Sequence, residues 1–329
     1  MRRWIPVAAA LLAACGGDDD GGGGADGGSG SDGSSGGAWE ALADLPSGAV
    51  QETGLVEVDG LLYVLGGIDA AGETLTAVLV YDPSDDSWDR GPELPAPSHH
   101  VNAAVVDGTI YVVGSLEPDF APRAAVWSWT PGDEAWVTGG TPMPAPARGA
   151  GAVGVVDGSI VVAGGFTAAG SSAVVSAYDP GTDEWDETPD PLPMPLDHAT
   201  GQVVDGTLYV IGGRSNGIVA VSAEVFRYDG AGWTPRAQMP TPRGGIAAGV
   251  VNGRVVVVGG EGNGDAASGV FPQTEVYDPA ADEWSALEDM RTPRHGMAAA
   301  GLGGDLYVPG GADRQGFGAV ATHEVLHVD

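Results

Sequence analysis

Beyond residue 37 the chain alternates short apolar runs with tight clusters of Gly, Pro, Asn and Asp. Residues 149–165 show the pattern: GAGAVGVV, then Asp157-Gly158, then SIVVAGG. Two apolar runs joined by Asp-Gly predict a β-hairpin, because that turn needs residues that tolerate positive φ. No run past residue 37 carries the helical apolar period over several turns, so an all-α fold is excluded. The 56 glycines and 24 prolines suit a chain that turns often.

The pattern repeats. A Gly-Gly pair closes an apolar run at Gly66-Gly67, Gly164-Gly165, Gly212-Gly213, Gly259-Gly260 and Gly310-Gly311, with Gly114-Ser115 filling the gap. A second series, ending the third apolar run, is Tyr81-Asp82-Pro83, Trp129-Thr130-Pro131, Tyr178-Asp179-Pro180, Tyr228-Asp229-Gly230 and Tyr277-Asp278-Pro279. A Trp follows each, at 88, 136, 185, 233 and 284. Hairpin turns make a third: Asp59-Gly60, Asp107-Gly108, Asp157-Gly158, Asp205-Gly206, Asn252-Gly253 and Gly303-Gly304. Each unit therefore reads as four strands, and there are six units.

These landmarks resemble the kelch repeat, across residues 38–329. The resemblance implies an all-β fold: a six-bladed kelch-type β-propeller with four-stranded blades around a central channel. The last unit stops at His327-Val328-Asp329 without its Trp strand, and the missing strand stands at the other end as Trp39-Glu40-Ala41. An N-terminal strand completing the last blade is expected to close the ring and remove its free sheet edges. Neither end of 38–329 should then be removable. The recurring Trp residues are expected to mark packing between blades.

The first 37 residues are of another kind. Met1-Arg2-Arg3 precedes an apolar run, Trp4–Ala14, too short to span a bilayer, which needs ~20 residues. It ends in Leu12-Ala13-Ala14-Cys15, which resembles the lipobox of bacterial lipoproteins. That implies a signal peptide over 1–14, acylation of Cys15, and export to a bacterial envelope. Outer membrane or cell surface is expected rather than the inner membrane, and Gly16 rather than Asp after the cysteine, by resemblance to lipoprotein sorting rules, does not argue for inner-membrane retention. Residues 15–37 read as a disordered Gly/Asp/Ser tether, whose reach is roughly 25 Å.

Charge and composition narrow the chemistry. The formal net charge is −32, which disfavours any nucleic-acid partner. All 13 basic residues are Arg, so lysine Schiff-base chemistry and a P-loop lysine are excluded. Cys15 is the only cysteine, so no disulfide or cysteine-built metal site forms within the chain. No cofactor is expected, and the domain is expected to be a monomer.

Topology divides the loops between two rims. Asp-Gly turns and the acidic turns PSDDSW (83–88), PGDEAW (131–136), PGTDEW (180–185) and PAADEW (279–284) share one, and their carboxylates are expected to be solvated. The other holds the residues that begin each inner strand. There Arg148, Arg243, Arg294, His99, His100, His198 and His295 are expected to face a ligand, with Arg214 and Arg314 from the Gly-Gly loops. Seven of the eleven arginines past residue 3 map to this rim, a pattern suited to an anionic or polar-sugar ligand. Its four imidazoles lie on three different blades and are not expected to converge on a metal.

Two functions follow. Kelch proteins are mostly interaction scaffolds, so the first is a lipid-anchored module binding a protein or glycan at this rim. The second is enzymatic, and an enzyme is not the favoured reading. Galactose oxidase is similar in its propeller, but its copper cofactor needs a tyrosine crosslinked to cysteine, and Cys15 lies outside the domain. Sialic acid mutarotase is similar in its six blades and export. That resemblance makes Glu52, His198 or Glu261 the candidate acid/base and Arg148, Arg243 or Arg294 the carboxylate clamp.

Overall fold

At the five Asp-Gly and Asn-Gly pairs the first residue has φ between 49° and 51°, the left-handed conformation that a tight hairpin requires. These hairpins, with Gly303-Gly304 as the sixth, begin the six four-stranded antiparallel sheets that form the blades of a β-propeller. The computed structural model describes residues 37–230 and 232–328. The predicted signal peptide (1–14), Cys15 and all of the predicted tether except Gly37 lie outside the described residues.

Inner strands run Gly54–Val58, Ala103–Val106, Ala152–Val156, Thr200–Val204, Ala247–Val251 and Ala300–Leu302. In blade 3 the register is in phase from Ala152 opposite Ala163 to Val156 opposite Ser159. The last blade is completed as expected: Ala38–Ala41 pairs with His323–His327, with Trp39 opposite Leu326. Ala38 lies opposite His327, itself paired with Asp305 beside the Gly303-Gly304 turn. The chain therefore joins the propeller on the turn face.

Three devices stitch neighbouring blades, and each recurs because its residues recur. The second glycine of the Gly-Gly pair donates its amide to the next blade: Gly67 to Ser98 O, Gly165 to Leu196 O, Gly213 to Arg243 O, Gly260 to Arg294 O and Gly311 to Val50 O. A side chain at Gly259 (φ 62°) would collide with the Arg294 carbonyl, so the approach demands glycine. Where Ser115 replaces that glycine, the Asn102 amide reaches Arg148 O at 2.9 Å instead.

The tryptophans supply the second stitch. Trp88, Trp136, Trp185, Trp233 and Trp284 donate their indole N–H to Ala43, Pro92, Thr141, Asp190 and Ala237 of the preceding blade. Trp39 closes the circle by donating to Glu288 O at 3.0 Å. The third corrects an expectation, because the acidic turns are not merely solvated. Asp86, Asp183 and Asp282 each accept both a tyrosine hydroxyl five residues back and a backbone amide of the preceding blade.

Between the stitches lie apolar layers shared by neighbouring blades. One packs Val56, Tyr63 and Leu65 of blade 1 against Ile110, Val112, Trp127 and Trp129 of blade 2. Burying such surfaces contributes roughly 25 cal/mol per Å² of apolar area, which must hold a fold with no disulfide.

His323 sits in the layer that closes the ring, ringed by Tyr81, Trp88 and Tyr307, with Asp86 and Arg294 as the nearest charges. Burial pushes it down to about 4. A histidine kept neutral by folding stabilises fully above its unfolded value of ~6.5, and that contribution is lost as pH falls towards the folded value. Stability should therefore drop on acidification from pH 7 to 4.5 by on the order of 3 kcal/mol through this residue. Urea melts at both pH values check it, and His323→Phe should lose less than the wild type.

Candidate active site at the channel mouth

One residue from each blade builds the mouth, just before its inner strand. Glu52, His100, Ala150, His198, Gly245 and Gly296 all have φ between 51° and 62°. Each donates its amide to the carbonyl of its counterpart in the preceding blade: His100 to Glu52 at 2.9 Å, then Ala150, His198, Gly245 and Gly296 in turn at 3.0 Å. Glu52 closes the circle on Gly296 at 2.5 Å. Four of the six are not glycine, and left-handed backbone at such residues is strain that concentrates at functional sites. A cavity of about 180 Å³ lies against this ring, lined also by Thr53, Val101, Gln202 and Met297.

The ring brings side chains from distant parts of the chain together. His99 Nε2 bonds Glu117 O at 2.8 Å, His99 Nδ1 meets His100 Nδ1 at 2.5 Å, and His100 Nε2 meets His198 Nε2 at 2.9 Å. His198 Nδ1 lies 2.5 Å from Asp197 Oδ1, and Glu52 Oε2 lies 3.1 Å from His100 Nε2. Arg214 joins the second half by donating to Asp197, Glu261 and His198. His295 Nδ1 stands 3.6 Å from Glu261 and 3.7 Å from Glu52, and its Nε2 bonds Arg314 O. A side chain at Gly296 would occupy the space of the Glu52 carboxylate, so that glycine makes room for it.

Burial sets the charges. It pushes His99 down to about 4 and, with the nearby His198, His99 and Arg214, holds His100 well below the ordinary imidazole range. Both are neutral at pH 7 and can present lone pairs. Burial alone would raise the Asp197 carboxyl, but His198, Ser171 and Arg214 outweigh it and hold it at about 2.

Three expectations need correction. Arg148, Arg243 and Arg294 are each 0% exposed and do not face a ligand. Arg148 donates to Gly164 O, Val162 O and Ser176 Oγ, while Arg243 and Arg294 pair with Glu275 and Glu324 on the third strand of their own blades. Their backbones begin the blades at the mouth, but their side chains turn inward to satisfy buried carbonyls. The rim is therefore not a cationic collar. Arg123 and Arg314 lie beside Glu117 and Asp313, and Arg214 holds two carboxylates. The imidazoles do converge: Glu52, His100 and His198 offer ligand atoms all within 4.8 Å of one another.

Phe120 (40% exposed) and Phe317 (61%) stand at the lip with ring centroids 6.4 Å apart. Phe120 also packs edge-on against His99 at 4.5 Å. Neither stands among the residues expected at the rim, although a Phe in the loop between the second and third strands of a blade is a readable signal. Gln51 and Asp197 fall on the same rim by count but gain their roles only from the structure: Gln51 bonds Gly316 and Gly318 from the far end of the chain, and Asp197 holds His198 and Arg214.

Known proteins share these features. The KLHDC2/KLHL20/DRC7 Kelch-repeats domain matches residues 103–311, and the Kelch motif matches 52–95. Kelch-like protein terF of Aspergillus terreus is 32% identical over 289 residues, 84% of this chain and 52% of that protein. An F-box/kelch-repeat protein of Arabidopsis thaliana is 42% identical over 126 residues, 36% of this chain and 33% of that protein. The chain thus spans about half or less of the curated relatives it matches. The solved structure of YjhT superposes with a TM-score of 0.71 at 18% identity, covering 86% of this chain and 95% of that one, a likeness of fold. With the family domain matching most of the chain and six blades carrying its landmarks, the chain belongs to the kelch-repeat family.

Proposed function

We propose that this chain is an exported, lipid-anchored recognition module that takes a glycan or protein segment at the channel mouth. The observation that carries the reading is the pairing of two exposed phenylalanines with a polar floor of Glu52, His100, His198, Arg214 and Glu261. Aromatic faces beside fixed polar groups suit ligands with both apolar and hydrogen-bonding surfaces. The anchor rests on Leu12-Ala13-Ala14-Cys15. The test is a glycan array together with pull-down from native envelope, using wild type, Phe317→Ala and Arg214→Ala. A ligand or partner lost in both variants is the expected result. Capture that is identical in all three proteins would place recognition elsewhere.

A second reading is favoured by one observation: the acid/base candidates Glu52, His198 and Glu261 share the mouth with a guanidinium, that of Arg214. Anomeric interconversion of an acidic sugar needs a proton donor and acceptor beside a carboxylate partner. Exchange measured by NMR should exceed the buffer rate and fall in Glu261→Gln. A rate equal to buffer would retire this reading.

A further inference from the structure

We infer that Glu52, His100 and His198 form a binding site for one divalent first-row transition ion at the centre of the mouth. The inference goes beyond the ligand reading above and does not depend on which ligand the mouth takes.

Hydrogen accounting leads to it. His99 Nε2 donates to Glu117 O, which leaves His99 Nδ1 as an acceptor for His100 Nδ1–H. His100 Nε2 is then a bare lone pair. His198 Nδ1–H donates to Asp197 Oδ1, which bares His198 Nε2 as well. These two nitrogens face each other at 2.9 Å, with the Glu52 carboxylate 3.1 Å from the first. Three acceptors pointing at one space call for a positive centre between them. Arg214 Nη2, 2.9 Å from His198 Nε2, satisfies one of them only.

The spacing suits a metal. Two bonds of ~2.1 Å meeting at a tetrahedral angle place their donors roughly 3.4 Å apart, so the observed 2.9 Å and 3.1 Å separations need to open only slightly to admit an ion. The surroundings have the form of an outer shell: His100 is oriented by His99, and His198 by Asp197, which is itself held by Ser171 and Arg214. Charge agrees. Arg214 pairs with Asp197 and Glu261 while Glu52 has only imidazoles beside it, leaving two negative charges among these side chains before any imidazole is protonated. Two imidazoles and a carboxylate select zinc and its neighbours over calcium or magnesium, which prefer all-oxygen sites. The three protein donors leave a fourth position for water or ligand. Arg214 competes with the ion for His198 Nε2, and because its guanidinium is one rigid plane, Nη2 can leave only if the whole group shifts on Asp197 and Glu261.

The experiment dialyses the full chain, without a histidine tag, against Zn²⁺ and then metal-free buffer, and counts zinc by elemental analysis. One zinc per wild-type chain is expected. The His100→Gln/His198→Gln double variant, which keeps Cys15 and four histidines, should lose it. Asp197→Asn should bind 10- to 100-fold more weakly, as outer-shell losses do, and Arg214→Gln more tightly. Excess Ca²⁺ should not displace the ion. Zinc retention by the wild type no greater than by the folded double variant would overturn the site. Should that variant fail to fold, Co²⁺ added to wild type decides: strong visible bands of a low-coordinate ion support the site, and the aqueous spectrum refutes it.

Discussion

Replacing Arg243 by Ala should cost about 3–5 kcal/mol of folding stability, enough to abolish folding at moderate temperature in a marginal domain. The guanidinium donates to Gly259 O at 2.7 Å, Thr241 O at 3.0 Å and Val257 O at 3.3 Å, and pairs with Glu275. Glu275 is itself buried, and Thr241 is its other hydrogen-bond partner. Truncation leaves a carboxylate stranded and several carbonyls unmet, and each unmet buried group costs about 1–3 kcal/mol. Urea melts measure the loss. Arg243→Met combined with Glu275→Met should recover much of it, because a pair removed together strands no charge. An unchanged midpoint in Arg243→Ala would mean the side chain is free of these partners and open to ligand after all.

Trp39→Ala should destabilise by about 3–5 kcal/mol, and deletion of Ala38–Ala41 should abolish the cooperative fold. Trp39 is 7% exposed, packs with Leu306, Leu326 and Val328, and makes the last of six indole bonds to a preceding blade. Deleting its strand uncovers His323–His327 as an edge, and unpaired edges recruit other chains. Size-exclusion chromatography of the deleted protein should show aggregate, and its thermal melt should lose its sigmoid. A monomer melting like wild type would show that the ring closes without this strand.

The fold was legible because its landmarks are backbone requirements. Asp157-Gly158 needs positive φ, Gly259 cannot carry a side chain, and Trp88 must reach a fixed carbonyl. Such demands repeat once per blade, so the sequence displays them at one spacing. The site was legible only in part. Counting back from the hairpin turns located Glu52, His100 and His198 at one rim, but it placed Arg148, Arg243 and Arg294 there too. Position along a strand does not state which way a side chain turns, and a guanidinium can satisfy buried carbonyls as readily as a ligand. The convergence of Glu52 with His100 and His198 was hidden for a different reason. Residues on separate blades become neighbours only through the ring of amides that draws the blade starts together.

That ring also bears on how the mouth could change. Its six main-chain bonds run tangentially in one sense, so the peptide dipoles largely cancel around the circle and the potential at the mouth is left to the side chains. No bond in the circle uses a side-chain atom. Glu52, His100, Ala150 and His198 already carry side chains in this conformation, so one can be exchanged for another while the frame stays intact, whereas Gly296 must stay glycine as long as Glu52 fills the space beside it. New specificities can arise here by changing single letters, and a library randomised at Glu52, His100, Ala150 and His198 would sample them directly.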